Sequence, residues 1–281
     1  MSQRQACSVR RVIVAAEFAG KYGPWALIAG ASEGTGAEFA RQLAAEGLNL
    51  ILIARREGPL AELAQELSDT GVEVVTASID LAAPDATQQL ADVAGDREVG
   101  LLVFNAGADA NGVGFLKGDI SAWIELATRN CLTVMAACHH FGRKMRERGR
   151  GGLLVCGSGV CYAGIPGIGV YGATKAFDLN LMESLWAELK PSGIDVLYLV
   201  MGRTDTPAHR AVTEKQGRDW QPETMASAAD VARLGLERLP HGPIQNWGLA
   251  DDEAGWAGTS AAERRGRIEA IAAASSFAKK G

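Results

Sequence analysis

The sequence predicts an α/β protein built on a doubly wound parallel sheet in a single domain. Three observations predict it. Short, wholly apolar runs alternate with helical patterns along the chain. A glycine-rich loop stands between the first run and the first helix. No stretch rich in Pro, Gly or Ser divides residues 22–250, and no internal repeat occurs. Runs apolar at every position suit strands covered on both faces, and alternation with helices gives right-handed βαβ units.

The elements follow in order. Trp25–Ala29, Leu48–Ile53, Val72–Ser78, Leu101–Phe104, Leu153–Cys156 and Val196–Val200 read as strands. Between them, Ala37–Glu46 sets Phe39, Ala40, Leu43 and Ala44 on one helical face. Pro59–Leu67 does the same with Leu60, Leu63, Ala64 and Leu67. Further helices are expected over Trp123–Met145 and Tyr171–Leu189. Residues 208–224 are polar without clear period and read as a mobile loop or a small helix. Residues 263–280, with Ile268 and Ile271 among alanines, read as a terminal helix. The expected organisation is a helical extension over 1–21, the α/β domain over 22–250 and a helical segment over 251–281.

Composition narrows the functions. The chain has 281 residues, is 47% hydrophobic and carries a net charge of −5 with no basic block. That argues against nucleic acid as the main partner. No apolar run approaches the roughly 20 residues of a membrane span. Val12–Ala16 follows Arg4, Arg10 and Arg11 but is broken by Glu17, too short for a signal peptide. The five cysteines, Cys7, Cys131, Cys138, Cys156 and Cys161, are odd in number and form no C-x-x-C. The four histidines, His139, His140, His209 and His241, lack ligand spacing. Disulfides and metal sites are therefore not expected, and a cytoplasmic location is.

Two motifs carry chemistry. Gly30-Ala31-Ser32-Glu33-Gly34-Thr35-Gly36 lies where a strand turns into a helix. Glycines permit positive φ and close backbone approach, and the helix start beyond offers free N–H groups to a pyrophosphate. This gives the sheet its Rossmann-type reading, although the spacing G-x-x-x-G-x-G differs from G-x-G-x-x-G. Tyr171-Gly172-Ala173-Thr174-Lys175 puts a phenol and an ammonium on one helical face. A cation beside a phenol favours phenolate, which makes an acid/base for a carbonyl oxygen. Alone, such a pair is more often a surface pair.

Together these residues resemble the short-chain dehydrogenase/reductase superfamily, in its short single-domain branch, over about residues 22–240. The T-G-x-x-x-G-x-G pattern of that family appears as Ala29 to Gly36. Its adenine-side aspartate matches Asp80, followed by Leu81. Its N-N-A-G matches Phe104-Asn105-Ala106-Gly107, its helix asparagine Asn130, and its serine, thirteen residues before the tyrosine, Ser158. Its P-G-x-x-x-T matches Met201-Gly202-Arg203-Thr204-Asp205-Thr206. Six matches stand in order at the right distances. The wording at Tyr22–Ile28 and Gly47–Leu50 is also similar to bacterial reductases related to 3-oxoacyl-CoA reductases and hydroxysteroid dehydrogenases. The chain departs from the pattern at Ala29, Phe104 and Met201. These changes touch loop bracing and backbone freedom, not groups that do chemistry.

The resemblance implies an NAD(P)-dependent oxidoreductase acting on CH–OH and C=O. Tyr171 would exchange the proton, Lys175 hold the nicotinamide ribose, Ser158 steady the oxyanion, and Asn130 order a proton relay. Gly30, Ser32, Glu33, Gly34, Thr35, Gly36, Asp80, Leu81, Asn105, Ala106, Gly107, Gly202, Thr204 and Thr206 would line the cofactor. After the second strand, Ala54 stands where NAD enzymes of the family tend to carry aspartate, and Arg55 follows, suited to a 2′-phosphate. NADP(H) is therefore favoured. Glu33 points the other way, so NAD(H) stays open. Val160, Tyr162, Ile168, Arg203 and Trp220 are candidate substrate contacts for a small, hydrophobic carbonyl compound or secondary alcohol.

Two other readings stand beside this one, an NAD-linked alcohol dehydrogenase and a non-catalytic nucleotide-sensing regulator. The helices over Trp123–Met145 and Tyr171–Leu189 carry more apolar positions than one sheet face needs, among them Leu126, Val134, Phe177, Leu181 and Leu185. The resemblance implies that they pack on their counterparts in a homodimer or homotetramer.

Overall fold

The computed structural model describes residues 17–108, 112–215, 217, 219–255 and 257–274. Residues 1–16 of the expected N-terminal extension and 275–281 of the expected C-terminal segment lie outside them. Nine strands are described: β1 Trp25–Ala29, β2 Asn49–Ala54, β3 Val74–Ser78, β4 Val99–Phe104, β5 Gly151–Ser158, β6 Ile194–Met201, β7 Thr204–Asp205, β8 Ala226–Ser227 and β9 Ile244–Asn246. The longer helices are α1 Gly34–Ala45, α2 Glu57–Leu67, α3 Ala86–Ala94, α4 Ile120–Ala127, α5 Thr133–Arg148, α6 Gly169–Leu189, α7 Pro207–Lys215, α8 Ala228–Arg238 and α9 Ala261–Ala274.

Seven strands form one sheet in the order β3-β2-β1-β4-β5-β6-β9, every pair parallel. The two-stranded β7-β8 ladder stands apart. Side chains alternate between the two faces, and both faces are dry. Leu27, Ile51, Ile53, Leu102, Phe104, Leu153, Val155, Val196 and Tyr198 face one core, covered by α3, α5 and α6. Ala26, Ile28, Leu50, Leu52, Leu101, Val103, Leu154 and Leu197 face the other, covered by α1, α2 and α8. This double burial is why the strands read as unbroken apolar runs.

The chain turns back between β1 and β4, since β2 and β3 build one half of the sheet and β4, β5, β6 and β9 the other. Loops leaving the carboxyl ends of neighbouring strands diverge there and open a crevice, the usual ligand position in such sheets.

The expected continuous helix over Trp123–Met145 is divided. A π turn, Thr128–Leu132, joins α4 to α5. The extra residue shifts the helical phase and turns Asn130 fully inward, leaving it 0% exposed. The expected small helix beyond β6 is α7. The C-terminal helix is not set apart from the domain. Ala261 is buried in the core, Ile268 packs against it, and Arg264 reaches the buried Glu183 of α6 at 2.5 Å. At the other end, Tyr22 is itself buried, on a helical segment over 17–22.

Candidate active site

The glycine loop leaves β1 at the sheet's turning point. Gly30 and Gly34 hold φ of +86° and +56°. At Gly36 the constraint is space, because a Cβ would stand 1.9 Å from the Gly30 carbonyl oxygen. Only glycine lets α1 come that near the strand end. Asn105 Nδ2 donates to the same Gly30 oxygen at 3.0 Å, bracing the loop from β4 where Ala29 offers no hydroxyl. The first turn of α1 has neither a side-chain cap nor an acidic residue. Its free N–H groups and its positive dipole end, beside the glycine loop, suit a pyrophosphate.

Beside the loop, β2 ends at Ala54 and Arg55 stands exposed. Arg56 bridges Glu33 at 2.5 Å. Glu33 is thus already neutralised by a neighbour, and Arg55 is left to set the local charge. The donors present fit an adenine dinucleotide. Asp80 is exposed and accepts from the Ala82 N–H at 3.0 Å. Leu81 is buried, and its carbonyl accepts from Thr133 Oγ1 at 2.7 Å. Phe104, in place of a polar residue, is fully buried in the core, paired in register with Ala29 and Val155.

The chemistry-bearing side chains gather one strand further on. Ser158 ends β5, half-buried beside Met201 of β6. Tyr171 and Lys175 lie one turn apart on α6, the tyrosine half-buried and the lysine 3% exposed. Lys175 Nζ donates to the Cys156 carbonyl at 3.0 Å and to Asp178 Oδ2 at 3.3 Å. A Cβ on Gly107 would stand 3.2 Å from that ammonium and 3.0 Å from Asn130 Oδ1. The backbone after β4 can therefore pass directly over Lys175 only as glycine, at φ +137°. Asn130 Nδ2 donates to the Gly107 carbonyl at 3.2 Å and to Thr174 Oγ1 at 3.1 Å. The π turn thus ties the end of β4 to α6.

Burial alone would lower the Lys175 ammonium, and the carboxylate of Asp178, with Tyr171, more than offsets it, so its proton is held more tightly than usual. The Asp178 carboxyl is pushed up by burial, less the attraction of Lys175, to about 6. Asp178 has no counterpart among the residues singled out from sequence. Its signal was its position three residues after Lys175, on the same helical face. A second missed residue is Tyr198, whose hydroxyl donates to the Lys175 carbonyl at 2.8 Å. It fits because a Cβ at Gly157 would lie 2.2 Å from its ring, and a glycine inside a strand is the readable sign of such a close approach.

The substrate candidates do not gather in one place. Val160 and Ile168 flank the start of α6, where the Ile168 carbonyl accepts the Gly172 N–H at 2.9 Å. Tyr162 turns away: its hydroxyl bonds Asn246 Oδ1 at 2.8 Å and Arg264 lies 5.8 Å over its ring. Arg203 is exposed after β6. Trp220 meets His209 edge-on at 5.3 Å, with Arg210 at 5.2 Å. Nearby, Thr204 Oγ1 donates to the Gly202 carbonyl at 3.1 Å, and Thr206 Oγ1 accepts the His209 N–H at 3.2 Å. The segments that leave β4 and β5 at the crevice edge also carry exposed Val113, Phe115, Leu116 and Ile165. Among the described residues, no cluster of three or more His, Cys, Asp or Glu could hold a metal, and no helix is long and apolar enough to cross a membrane.

A profile of the short chain dehydrogenase family matches residues 24–217. A 7beta-hydroxysteroid dehydrogenase of Clostridium sardiniense is 31% identical over 226 residues, 79% of this chain and 84% of that protein. A very-long-chain 3-oxoacyl-CoA reductase of Neurospora crassa is 34% identical over 225 residues, 77% of this chain and 66% of that protein. Among solved structures, a short-chain dehydrogenase from Sphingobium yanoikuyae in complex with NADPH superposes with a TM-score of 0.73 at 30% identity. That match covers 81% of this chain and 89% of the other.

Proposed function

The chain belongs to the short-chain dehydrogenase family and is an oxidoreductase acting on hydroxyl and carbonyl groups, and from that premise we propose an NADP-linked reductase of bulky hydrophobic ketones and their secondary alcohols. The observation that carries the reading is Lys175, a buried ammonium held at the end of β5 one turn below Tyr171. A buried cation is costly and persists where its charge has work to do.

When bound, the nicotinamide supplies or accepts the hydride. The chain's own residues do the rest. Tyr171 gives its proton to the carbonyl oxygen in reduction and takes it from the alcohol in oxidation. Lys175 supports that transfer with its charge and holds the nicotinamide ribose. Ser158 donates a hydrogen bond to the oxygen as charge develops there. Asn130, which braces Gly107 and Thr174, fixes the wall beside Lys175. Gly30, Ser32, Gly34, Thr35, Gly36, Asn105, Ala106 and Gly107 take the dinucleotide, with Asp80 and Leu81 at its adenine end and Gly202, Thr204 and Thr206 across the crevice.

Arg55 supports NADP over NAD, because the opposing charge of Glu33 is taken up by Arg56. The hydrophobic substrate class is supported by Val113, Phe115, Leu116 and Ile165 at the crevice edge, and by relatives named for a steroid and for very long acyl chains. Val160, Ile168, Arg203 and Trp220 remain the proposed contacts, whereas Tyr162 serves to pin the loop after β5. We also read the protein as a homo-oligomer of a reducing compartment such as the cytoplasm, where its buried or half-buried thiols stay free. The test is a panel of steroid, aryl and long-chain ketones offered with NADPH and with NADH. Consumption of NADPH with bulky ketones is the expected result. No turnover across the panel, or turnover with NADH alone, overturns the reading.

A further inference from the structure

Asp178 lies at the centre of the molecule with 0% exposure, on the face of α6 that carries Lys175. One carboxylate oxygen stands 3.3 Å from the ammonium, and the other has no partner. Isolated charges in such surroundings are not tolerated, and breaking a buried pair strands the survivor.

The other titratable groups facing this pair are thiols and phenols. From the π turn comes Cys131, whose thiol burial pushes up to about 11, and from α5 comes Cys138, pushed up to about 12. From β5 comes Cys156, also pushed up by burial to about 12, and from β6 Tyr198, raised well above the ordinary phenol by burial. From α6 itself comes Tyr171. Among the described groups around it, Asp178 is therefore the only carboxylate that can answer the charge of Lys175.

We infer that Asp178 is a positioning residue, the counter-ion that keeps Lys175 protonated and aimed at the crevice while it is buried. The role rests on the reading of Lys175 as the residue that holds the cofactor ribose and supports Tyr171. Without the carboxylate, burial would dominate and the lysine would lose its proton within the working range of an enzyme. The pair as a whole is electrically neutral. The helix can therefore carry a cation to the crevice floor without burying net charge.

The test reads the lysine directly. In protein labelled with ¹³C at the lysine Cε, the Lys175 resonance is identified by its loss in Lys175→Met and followed from pH 6 to pH 10. In Asp178→Asn, a nearly isosteric change, its titration midpoint is expected to fall by about two units or more. The affinity for NADPH should then fall between pH 7 and pH 9 in Asp178→Asn but not in the wild type. An unchanged lysine midpoint overturns the inference. Should Asp178→Asn fail to fold, the same coupling is read from the other side, because linkage is reciprocal. The Asp178 carboxyl carbon, assigned through the backbone, should titrate at higher pH in Lys175→Met than in wild type, and an unmoved midpoint again overturns the inference. If instead Lys175→Met binds NADPH as tightly as wild type, it is the assignment of Lys175 to the cofactor that fails.

Discussion

Tyr171 differs from phenylalanine by one hydroxyl, and the proposed chemistry uses nothing else of it. Tyr171→Phe keeps the ring against the start of α6 and should leave NADPH affinity unchanged. Its kcat should fall by at least ~100-fold, the low end for a lost acid/base. Steady-state kinetics on any ketone found in the panel, with NADPH titration beside it, checks both halves. Arg55 makes a separate prediction about choice of cofactor. Arg55→Ala should weaken NADP(H) by about 1–3 kcal/mol and leave NAD(H) nearly unaffected, as measured by calorimetry. Equal losses for both cofactors would sink the assignment. At this scale the sequence was readable where spacing alone sets neighbours together, as for Tyr171 and Lys175, one turn apart on α6. It was not readable where burial decides. An aspartate three residues after a lysine looks like any surface ion pair of a helix, and only the packing of α6 against β5 and the π turn makes Asp178 a buried counter-ion. Glu33 is the converse case. Its charge looked adverse to a 2′-phosphate, and the bridge to Arg56 could not be inferred from two residues 23 positions apart.

The elements that run through the core were legible because double burial writes itself as uninterrupted apolar sequence, as in Leu27, Ile51 and Leu102. The short ones were not. The three-residue β9 has no pattern to detect, and its place beside β6 is set by tertiary contact. The π turn was hidden for another reason: one inserted residue in a long helical pattern changes phase without breaking it. The role of α9 was hidden by its composition, since alanines do not announce which face packs. Its anchor is the Arg264–Glu183 bridge, whose side chains are 13% and 11% exposed. Arg264 also lies over the ring of Tyr162, so α9 holds the loop that follows Ser158. Removing one partner of so enclosed a pair costs about 3 kcal/mol or more. Arg264→Ala should therefore lower the urea midpoint clearly. Arg41→Ala, which breaks the bridge to Glu66 with partners 39% and 49% exposed, should cost under about 1 kcal/mol. Equal costs would mean that α9 is not held in this way.

For the molecule as a whole, large apolar side chains stand exposed on helices that pack against one another. Ile120 and Ile124 on α4, Leu132 on the π turn, Met135 on α5 and Phe177 on α6 are exposed. They are not quite the residues that the sequence suggested. Leu126 and Val134 are spent on the protomer's own core, and Leu181 and Leu185 are half-buried. A patch of this kind marks an association surface. The expected assembly has two-fold symmetry, with a mass by light scattering of at least twice 29.5 kDa. Ile124→Glu should shift it toward the protomer, and a monomer at micromolar concentration in the wild type would exclude the assembly. The order of strands in the sheet also bears on how the chain comes off the ribosome. Synthesis starts at the middle of the sheet with β1, works outward to β3, and only then returns to lay β4 on the other side of β1. Until Phe104 has emerged, Trp25–Ala29 keeps one edge unpaired. At ~5–20 residues per second that interval lasts several seconds. During it the free edge of β1 is open to pairing with another chain, the hazard that every unpaired strand edge carries.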